Sequence, residues 1–126
     1  MRVLVCGGRK FDDLPFLDKS LDQLHADLRI TMIIHGGANG ADTMAHFWAG
    51  VNGVPIEVYH ANWKRDGRAA GPIRNQKMLD HGKPDAVAAF PGGRGTADMI
   101  RRAIKASIPI YTYQRIGGTM CPEPKK

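Results

Sequence analysis

The chain has 126 residues, a formal net charge of +6, and hydrophobic and charged fractions of 43% and 24%. This length suits a single domain, and the composition excludes an intrinsically disordered protein. The 15 glycines do not recur at every third position, which excludes collagen. No apolar run approaches the roughly 20 residues of a membrane span, so we expect no membrane partner.

Cysteine content and the amino-terminal sequence bear on the cellular compartment. The two cysteines, Cys6 and Cys121, cannot form a disulfide scaffold, and neither has neighbours at zinc-ligand spacing. The amino terminus reaches Gly7 too early for a signal peptide. We therefore expect a cytoplasmic protein, since a reducing cytosol suits free thiols.

The positive charge is concentrated in the middle of the chain. Residues 64–105 carry ten basic and four acidic residues, whereas residues 1–63 carry five basic and seven acidic ones. Such a segment can attract an anion of any size, from a phosphate to a nucleic acid. The alternative is that these charges only form a solubilising surface.

Predicted strands and helices alternate along the chain. Short apolar runs predict strands at 3–6, 31–35, 56–60, 86–90 and 109–113. Apolar residues at three- and four-residue spacing predict helices at 14–28, about 40–50, 72–81 and 97–104. The first helix is expected to be capped by Asp12 or Asp13, and the last by Thr96.

This alternation predicts an α/β protein with a doubly wound parallel sheet and helices on both faces. Right-handed crossovers leave few topologies, of which we predict strand order 3-2-1-4-5 in a single domain of residues 1–116. The tail at 117–126 has little to pack and is expected to be mobile. The stretch from Ala61 to Gly71 lacks periodicity, and we expect a functional or mobile loop there.

Three of the predicted strands end in a glycine pair. In a doubly wound sheet these strand ends lie along one edge, and a ligand binds there where the strand order reverses. Glycine lets the backbone approach a ligand closely, and a following helix supplies free N–H groups to a phosphate. The alternative is that the glycines make only tight turns. The pairs are Gly7-Gly8, Gly36-Gly37 and Gly92-Gly93.

The turn from Pro91 to Thr96 is the most specific of the three. Its amides and the Thr96 hydroxyl could hold a phosphate, with Arg94 adding positive charge. It is neither a Walker loop nor a dinucleotide-binding pattern. Arginines nearby could form a basic wall, or be solvated or structural instead. The predicted ligand-binding residues are Gly7, Gly8, Arg9, Gly36, Gly37, Arg68, Arg74, Gly92, Gly93, Arg94, Gly95 and Thr96.

Four sequence blocks together resemble one known group of proteins. The blocks are Gly7-Gly8-Arg9-x-Phe11-x-Asp13, His35-Gly36-Gly37-Ala38-x-Gly40-Ala41-Asp42, Gly67-Arg68-Ala69-Ala70-Gly71-Pro72-x-Arg74-Asn75 and Pro91-Gly92-Gly93-Arg94-Gly95-Thr96-Ala97-Asp98. Over about residues 1–113 the chain resembles the YspA-type, YpsA-related branch of the SLOG superfamily. That superfamily joins the SMF/DprA proteins and the LONELY GUY (LOG) phosphoribohydrolases. The resemblance implies a Rossmann-like fold and a nucleotide or nucleotide-derived ligand.

LOG enzymes cleave the N-glycosidic bond of a nucleoside 5′-monophosphate, and the resemblance implies residues for that reaction here. Their signature resembles the turn from Pro91 to Thr96, followed by glutamates on the helix. Arg74 resembles a LOG arginine, and Asp98 stands in the region of the glutamates, with Met99 in place of a second carboxylate. An Asp98 ionised by the helix dipole could stabilise positive charge on the sugar but would donate a proton poorly. Alternatively, Asp98 is only a favourable charge in the first helical turn.

Further residues are candidates for ligand contacts, each with a structural alternative. Trp63 could stack on a base or cover the edge of the core. His35 could hydrogen-bond the ligand or the backbone, and Asp42 could contact the ligand or only charge the start of its helix. Asn75 is a candidate because it belongs to the third block. The histidine and aspartate positions show no standard metal spacing, so we expect no metal and no other cofactor.

Three functions remain open on the sequence alone. The first is binding of a small phosphorylated nucleotide-like ligand, for sensing, storage or sequestration. The second is LOG-like phosphoribohydrolase activity, with Arg74 and Asp98 as the catalytic residues. The third is DprA-like nucleic-acid binding, which is disfavoured because only 7% of residues are aromatic and no reader motif is present. We also expect a homodimer or higher homo-oligomer, formed through the apolar surface of the second helix around Trp48.

Overall fold

The computed structural model describes the backbone of residues 1–116 and 119–125 and the side chains of residues 1–114. Strands and helices alternate through the parallel part of the sheet. The strands are β1 (Arg2–Cys6), β2 (Met32–His35), β3 (Ile56–Val58), β4 (Ala86–Ala89), β5 (Ile110–Ile116) and β6 (Thr119–Lys125). The helices are α1 (Leu14–Leu28), α2 (Ala41–Val51), α3 (Trp63–Asp66), α4 (Ala70–Gly82) and α5 (Arg94–Lys105).

β1 lies near the centre of the sheet, whose order is β3-β2-β1-β4-β5-β6. The first five strands are parallel, and Leu4 of β1 aligns with Ile34 of β2 and Val87 of β4. The predicted order 3-2-1-4-5 in one α/β domain is therefore confirmed. Because the order reverses between β1 and β4, a crevice opens beside the carboxyl ends of these two strands.

The chain end adds a strand that the sequence did not predict. Over Thr119–Lys125 the backbone pairs antiparallel with β5, so β6 forms an edge of the sheet. Proline donates no ladder hydrogen bond, but an edge position tolerates Pro122 and Pro124. Residues 117, 118 and 126 lie outside the described residues. The boundary after residue 116 and the mobility of the tail stay predictions.

Each face of the sheet carries its own apolar cluster. Because successive side chains of a strand point to opposite faces, Val3 and Val5 pack in one cluster and Leu4 in the other. The first cluster includes Phe16 of α1 and is completed by α2, whereas the second includes Met99 of α5 and is completed by α4. This three-layer packing leaves the carboxyl edge of the sheet open to solvent.

The sequence predicted that the second helix presents an apolar surface around Trp48, but this side chain does not face solvent. Trp48 is only 3% exposed, and its Nε1 donates a hydrogen bond to Asp22 at 2.8 Å. The exposed apolar side chains of α2 are instead Phe47 and Val51. No helix in the described part of the chain is long and apolar enough to cross a membrane.

The start of α1 agrees with the prediction, whereas the start of α5 does not. α1 begins as expected, since the Asp13 carboxylate accepts a hydrogen bond from the Phe16 amide at 3.2 Å. However, Thr96 does not cap α5, because the helix starts directly after Gly93 and Thr96 is its third residue. The region at 61–71, expected as a loop, contains α3, a 3-10 turn at Gly67–Ala69 and the start of α4.

Candidate functional site

The three glycine turns meet at the carboxyl edge of the sheet. The Gly8 amide donates to the Pro91 carbonyl at 2.8 Å, and a Cβ on Gly8 would lie 3.1 Å from the Gly92 Cα. Gly40, with φ of +76°, lies so close to the Gly8 carbonyl that a Cβ would collide with it. The first turn therefore packs against both of the others, as the strand order requires.

A cavity of about 920 Å³ opens over these turns, between α4 and α5. This volume is within the usual range for small-molecule sites. Most of the residues predicted to bind ligand border it, but Gly36, Gly37 and His35 do not. The bordering predicted residues are Gly7, Gly8, Arg9, Asp42, Trp63, Arg68, Arg74, Asn75, Gly92, Gly93, Arg94, Gly95, Thr96 and Asp98.

The amino terminus of α5 opens into this cavity without a side-chain cap. The first amides of a helix have no partner within the helix and carry partial positive charge. At Gly92 only glycine fits, because a Cβ would lie 2.6 Å from the Gly8 nitrogen and would collide with the Thr96 hydroxyl. The result is an uncapped helix start beside the exposed Arg94, which suits an anion.

The second turn is organised by Asp42 rather than by free amides. The buried Asp42 carboxylate accepts hydrogen bonds from the Gly36 amide at 3.1 Å and the Ala38 amide at 3.2 Å. Burial raises the pKa of Asp42 to about 6, although these hydrogen bonds and the charges of Arg74 and Arg9 act in the opposite direction. The site therefore contains a carboxyl group that can be protonated near neutral pH.

His35 also holds the second turn. It is 3% exposed, and its Nδ1 accepts the Gly37 amide at 3.0 Å. The proton must then lie on Nε2, which donates to Nδ1 of His46 at 3.1 Å. Burial first, and then the neighbouring histidines and Arg74, lower the pKa of His35 to about 4. His35 is thus neutral and bonded to the backbone, and a role of Gly37 in ligand contact stays a prediction.

Arg74, a residue of α4, is held against the second turn. Its Nη1 donates to the Gly36 carbonyl at 2.7 Å, and its Nε donates to Asn75 Oδ1 at 3.1 Å. Burial lowers the pKa of Arg74, while the Asp42 charge acts in the opposite direction. An arginine stays charged in proteins, so this position supplies a held positive charge at the cavity wall.

Asp98 is bonded by three side chains, of which Arg101 and Arg102 were not predicted to belong to the site. It is 8% exposed and accepts hydrogen bonds from Arg101 at 3.0 Å, Arg102 at 2.8 Å and Asn75 at 3.0 Å. Burial alone would raise the pKa of Asp98, but these hydrogen bonds and charges bring it below its ordinary value. Asp98 is the fifth residue of α5, so arginines rather than a first-turn position keep it ionised.

Trp63 lies at the rim of the cavity and does not cover the core. Its side chain is 50% exposed, and the Arg9 guanidinium carbon lies 5.3 Å from the centre of its ring. This distance is that of a cation–π contact. A second cavity of about 290 Å³ begins on the other side of this pair, bordered by the second turn and by His60.

Sequence reasoning missed several residues of the site. Asn39 and His60 border the second cavity, and Lys10 and Met78 border the first. Asn39 lies within a glycine turn and His60 follows a strand, so position could have indicated both. Among the residues whose side chains are described, no group of three or more His, Cys, Asp and Glu is placed to hold a metal ion.

The fold and site define a class: a doubly wound α/β protein with a glycine-lined cavity at the reversal of strand order. Residues 1–65 match the family described as YAcAr, the YspA, cpYpsA-related SLOG family, and the chain belongs to this family. The chain is 39% identical to the Gene 61 protein of Mycobacterium phage D29 over 121 residues, which cover 89% of this chain and 95% of that protein.

A solved structure shares the fold. The X-ray structure of DNA processing protein A (DprA) from Streptococcus pneumoniae matches with a TM-score of 0.74 at 20% sequence identity. The match covers 92% of this chain and 51% of that chain, so this protein spans about half the length of DprA. At this identity the likeness concerns the fold alone.

Proposed function

We propose that the protein binds a nucleotide or nucleotide-derived small ligand in the cytoplasm, to sense, store or sequester it. One observation carries this proposal: the uncapped amino terminus of α5 opens into a cavity of about 920 Å³. Membership of the SLOG family supports it, because that family implies nucleotide-related ligands in general.

The phosphate is proposed to lie at the start of α5. Free amides and the partial charge of the helix would stabilise it there, and the exposed guanidinium groups of Arg94 and Arg68 border the same space. Arginine suits this role because its planar fork binds phosphate oxygens in pairs. The Asp98 charge nearby is already offset by Arg101 and Arg102.

The base is proposed to lie against Trp63. An exposed indole ring offers a stacking face that accepts any base, with a contribution of about 1–3 kcal/mol. Arg9 occupies one face of this ring, so a base would use the other face or displace the arginine. This arrangement would favour a nucleotide over a bare phosphate.

Isothermal titration against nucleoside mono- and diphosphates tests the proposal. We expect binding by the wild type, weakened about tenfold or more in Arg94→Gln, since a charge-assisted hydrogen bond is lost. Lys105→Gln is the matched control, because it removes the same charge from the same helix outside the cavity. No binding at millimolar nucleotide, or equal weakening in both variants, would contradict the proposal.

Hydrolysis of the N-glycosidic bond is a second candidate function, favoured by Asp42. Its protonatable carboxyl borders the cavity, whereas Asp98 is occupied by three donors. Water oxygen would bond to the sugar carbon as the carbon–nitrogen bond breaks. Asp42 would give its proton to the leaving base and recover one from the water. After incubation with nucleoside 5′-monophosphates, chromatography should detect free base with the wild type and none with Asp42→Asn. The absence of free base with the wild type would exclude this function.

A further inference from the structure

The second cavity adjoins the main one. The two share Arg9, Ala38, Trp63 and Arg74 in their walls, so the Arg9–Trp63 pair lies on the boundary between them. Its volume of about 290 Å³ is at the lower limit for a small-molecule site. The second cavity is therefore small and next to the first, so a ligand bound in the first could extend into it past Arg9 and Trp63.

The boundary offers positive charge with unused donors. Arg74 spends its Nε–H on Asn75 and one Nη1–H on the Gly36 carbonyl, so its other N–H groups have no partner among the described residues. The Arg9 guanidinium contacts the Trp63 ring and donates no hydrogen bond within the described part of the chain. Both arginines could therefore bind a phosphate of a ligand that occupies both cavities.

The wall of the second cavity is polar. Its distinctive side chains are Asn39 in the second turn and His60 after β3, both exposed. Gly37 makes room for the histidine, because a Cβ there would lie 2.5 Å from the His60 ring. An amide and an imidazole both donate and accept hydrogen bonds, which suits the hydroxyl groups of a sugar.

We propose that the second cavity is a subsite for a sugar, and that the ligand is a nucleoside diphosphate sugar. One phosphate lies at the start of α5, the other lies between Arg9 and Arg74, and the sugar hydroxyls bond Asn39 and His60. This inference rests on the proposed function, because it extends the same nucleotide site. The subsite predicts that the sugar of such a ligand increases its affinity over that of the diphosphate alone.

Titration of matched ligand pairs tests the subsite: ADP with ADP-glucose, UDP with UDP-glucose, and GDP with GDP-mannose. For the base that binds, we expect the sugar nucleotide to bind about tenfold more tightly than the diphosphate, as two neutral hydrogen bonds would provide. His60→Ala should reduce this difference from about tenfold to about threefold, because one of the two hydrogen bonds is lost, while leaving the affinity for the diphosphate unchanged. Asn39→Ala should act in the same way.

His81→Ala serves as the control, because His81 is exposed on α4 and borders neither cavity. Equal affinities for the diphosphate and its sugar derivative would overturn the subsite while leaving nucleotide binding intact. A loss of diphosphate affinity in His60→Ala equal to the loss of sugar nucleotide affinity would also overturn it. Failure of every diphosphate to bind would instead remove the proposed function and the subsite together.

Discussion

Two buried titratable side chains of the second turn respond to burial in opposite directions. Burial favours the neutral form of each, so the pKa of Asp42 rises from 3.8 to about 6 and the pKa of His35 falls from 6.5 to about 4. Between pH 4 and 6 the folded state therefore binds more protons at Asp42 and fewer at His35 than the unfolded state. Their contributions to the pH dependence of stability oppose each other.

Asp42→Asn should separate these contributions. In the wild type, the contribution of Asp42 is fully present below pH 3.8 and is lost as the pH rises through about 6. The variant can keep both amide hydrogen bonds through its Oδ1 but has no proton to lose. We expect its free energy of unfolding, relative to wild type, to rise by up to about 3 kcal/mol from pH 4 to 6.

Urea unfolding at several pH values between 4 and 7 measures this difference. The exposed Asp80, on α4, provides the control, and Asp80→Asn should keep the wild-type profile. The prediction fails when the difference between Asp42→Asn and wild type is constant over this range.

At the scale of elements, the third turn and α5 place two glycines in contrasting surroundings. A Cβ on Gly92 would lie 2.6 Å from the Gly8 backbone nitrogen, whereas a Cβ on Gly95 would meet nothing within 4 Å. Gly95 also has a helical neighbourhood, because it is the second residue of α5. Packing of the turn therefore requires glycine at position 92 but not at position 95.

Alanine at these two positions should change stability in opposite directions. Gly92→Ala should lower the free energy of unfolding by about 1–3 kcal/mol, because the first and third turns must separate. Gly95→Ala should raise it by up to about 1 kcal/mol, because alanine favours the helix. Thermal or urea unfolding decides between these outcomes, and a stabilised Gly92→Ala variant would contradict the close contact of the turns.

At the scale of the whole molecule, α2 leaves two large apolar side chains in solvent. Phe47 is 66% exposed and Val51 is 86% exposed, and their spacing of four residues places them on one face of the helix. We propose this face, rather than Trp48, as the contact between copies in a homodimer or larger homo-oligomer. Apolar area exposed on a helix gains free energy when a second copy covers it.

Light scattering should give a mass of at least twice the 13.8 kDa of one chain. The double variant Phe47→Ser with Val51→Ser should be monomeric, because the apolar contact is removed. Ile104→Ser is the matched control, since Ile104 is 63% exposed on α5, away from that face. A monomeric wild type would end the proposal, whatever the variants do.

Much of the molecule could be predicted from local patterns. The order of the five parallel strands followed from alternation and crossover handedness. Residue type and position limited the cap of α1 to Asp12 or Asp13, and the structure shows that it is Asp13. By contrast, β6 was not predicted, because the segment has little to pack and only its backbone pairing with β5 makes it a strand. The start of α5 was misplaced because Thr96 is a good capping residue, yet the chain enters the helix directly from Gly93.

The sequence by itself determined the class of fold and the edge of the sheet where the glycine turns meet, because periodicity and turn chemistry are local properties. Only the tertiary structure decided which polar groups are already bonded. Asp98 is held by Arg101, Arg102 and Asn75, and the Gly36 amide is held by Asp42. Arg101 and Arg102 follow Asp98 by three and four residues on α5, so helical spacing could have indicated them. Asn75 belongs to α4, 23 residues earlier, and only tertiary packing brings it to Asp98. The structure also decided that α5 begins after Gly93 without a side-chain cap, and this helix start supports the proposed function.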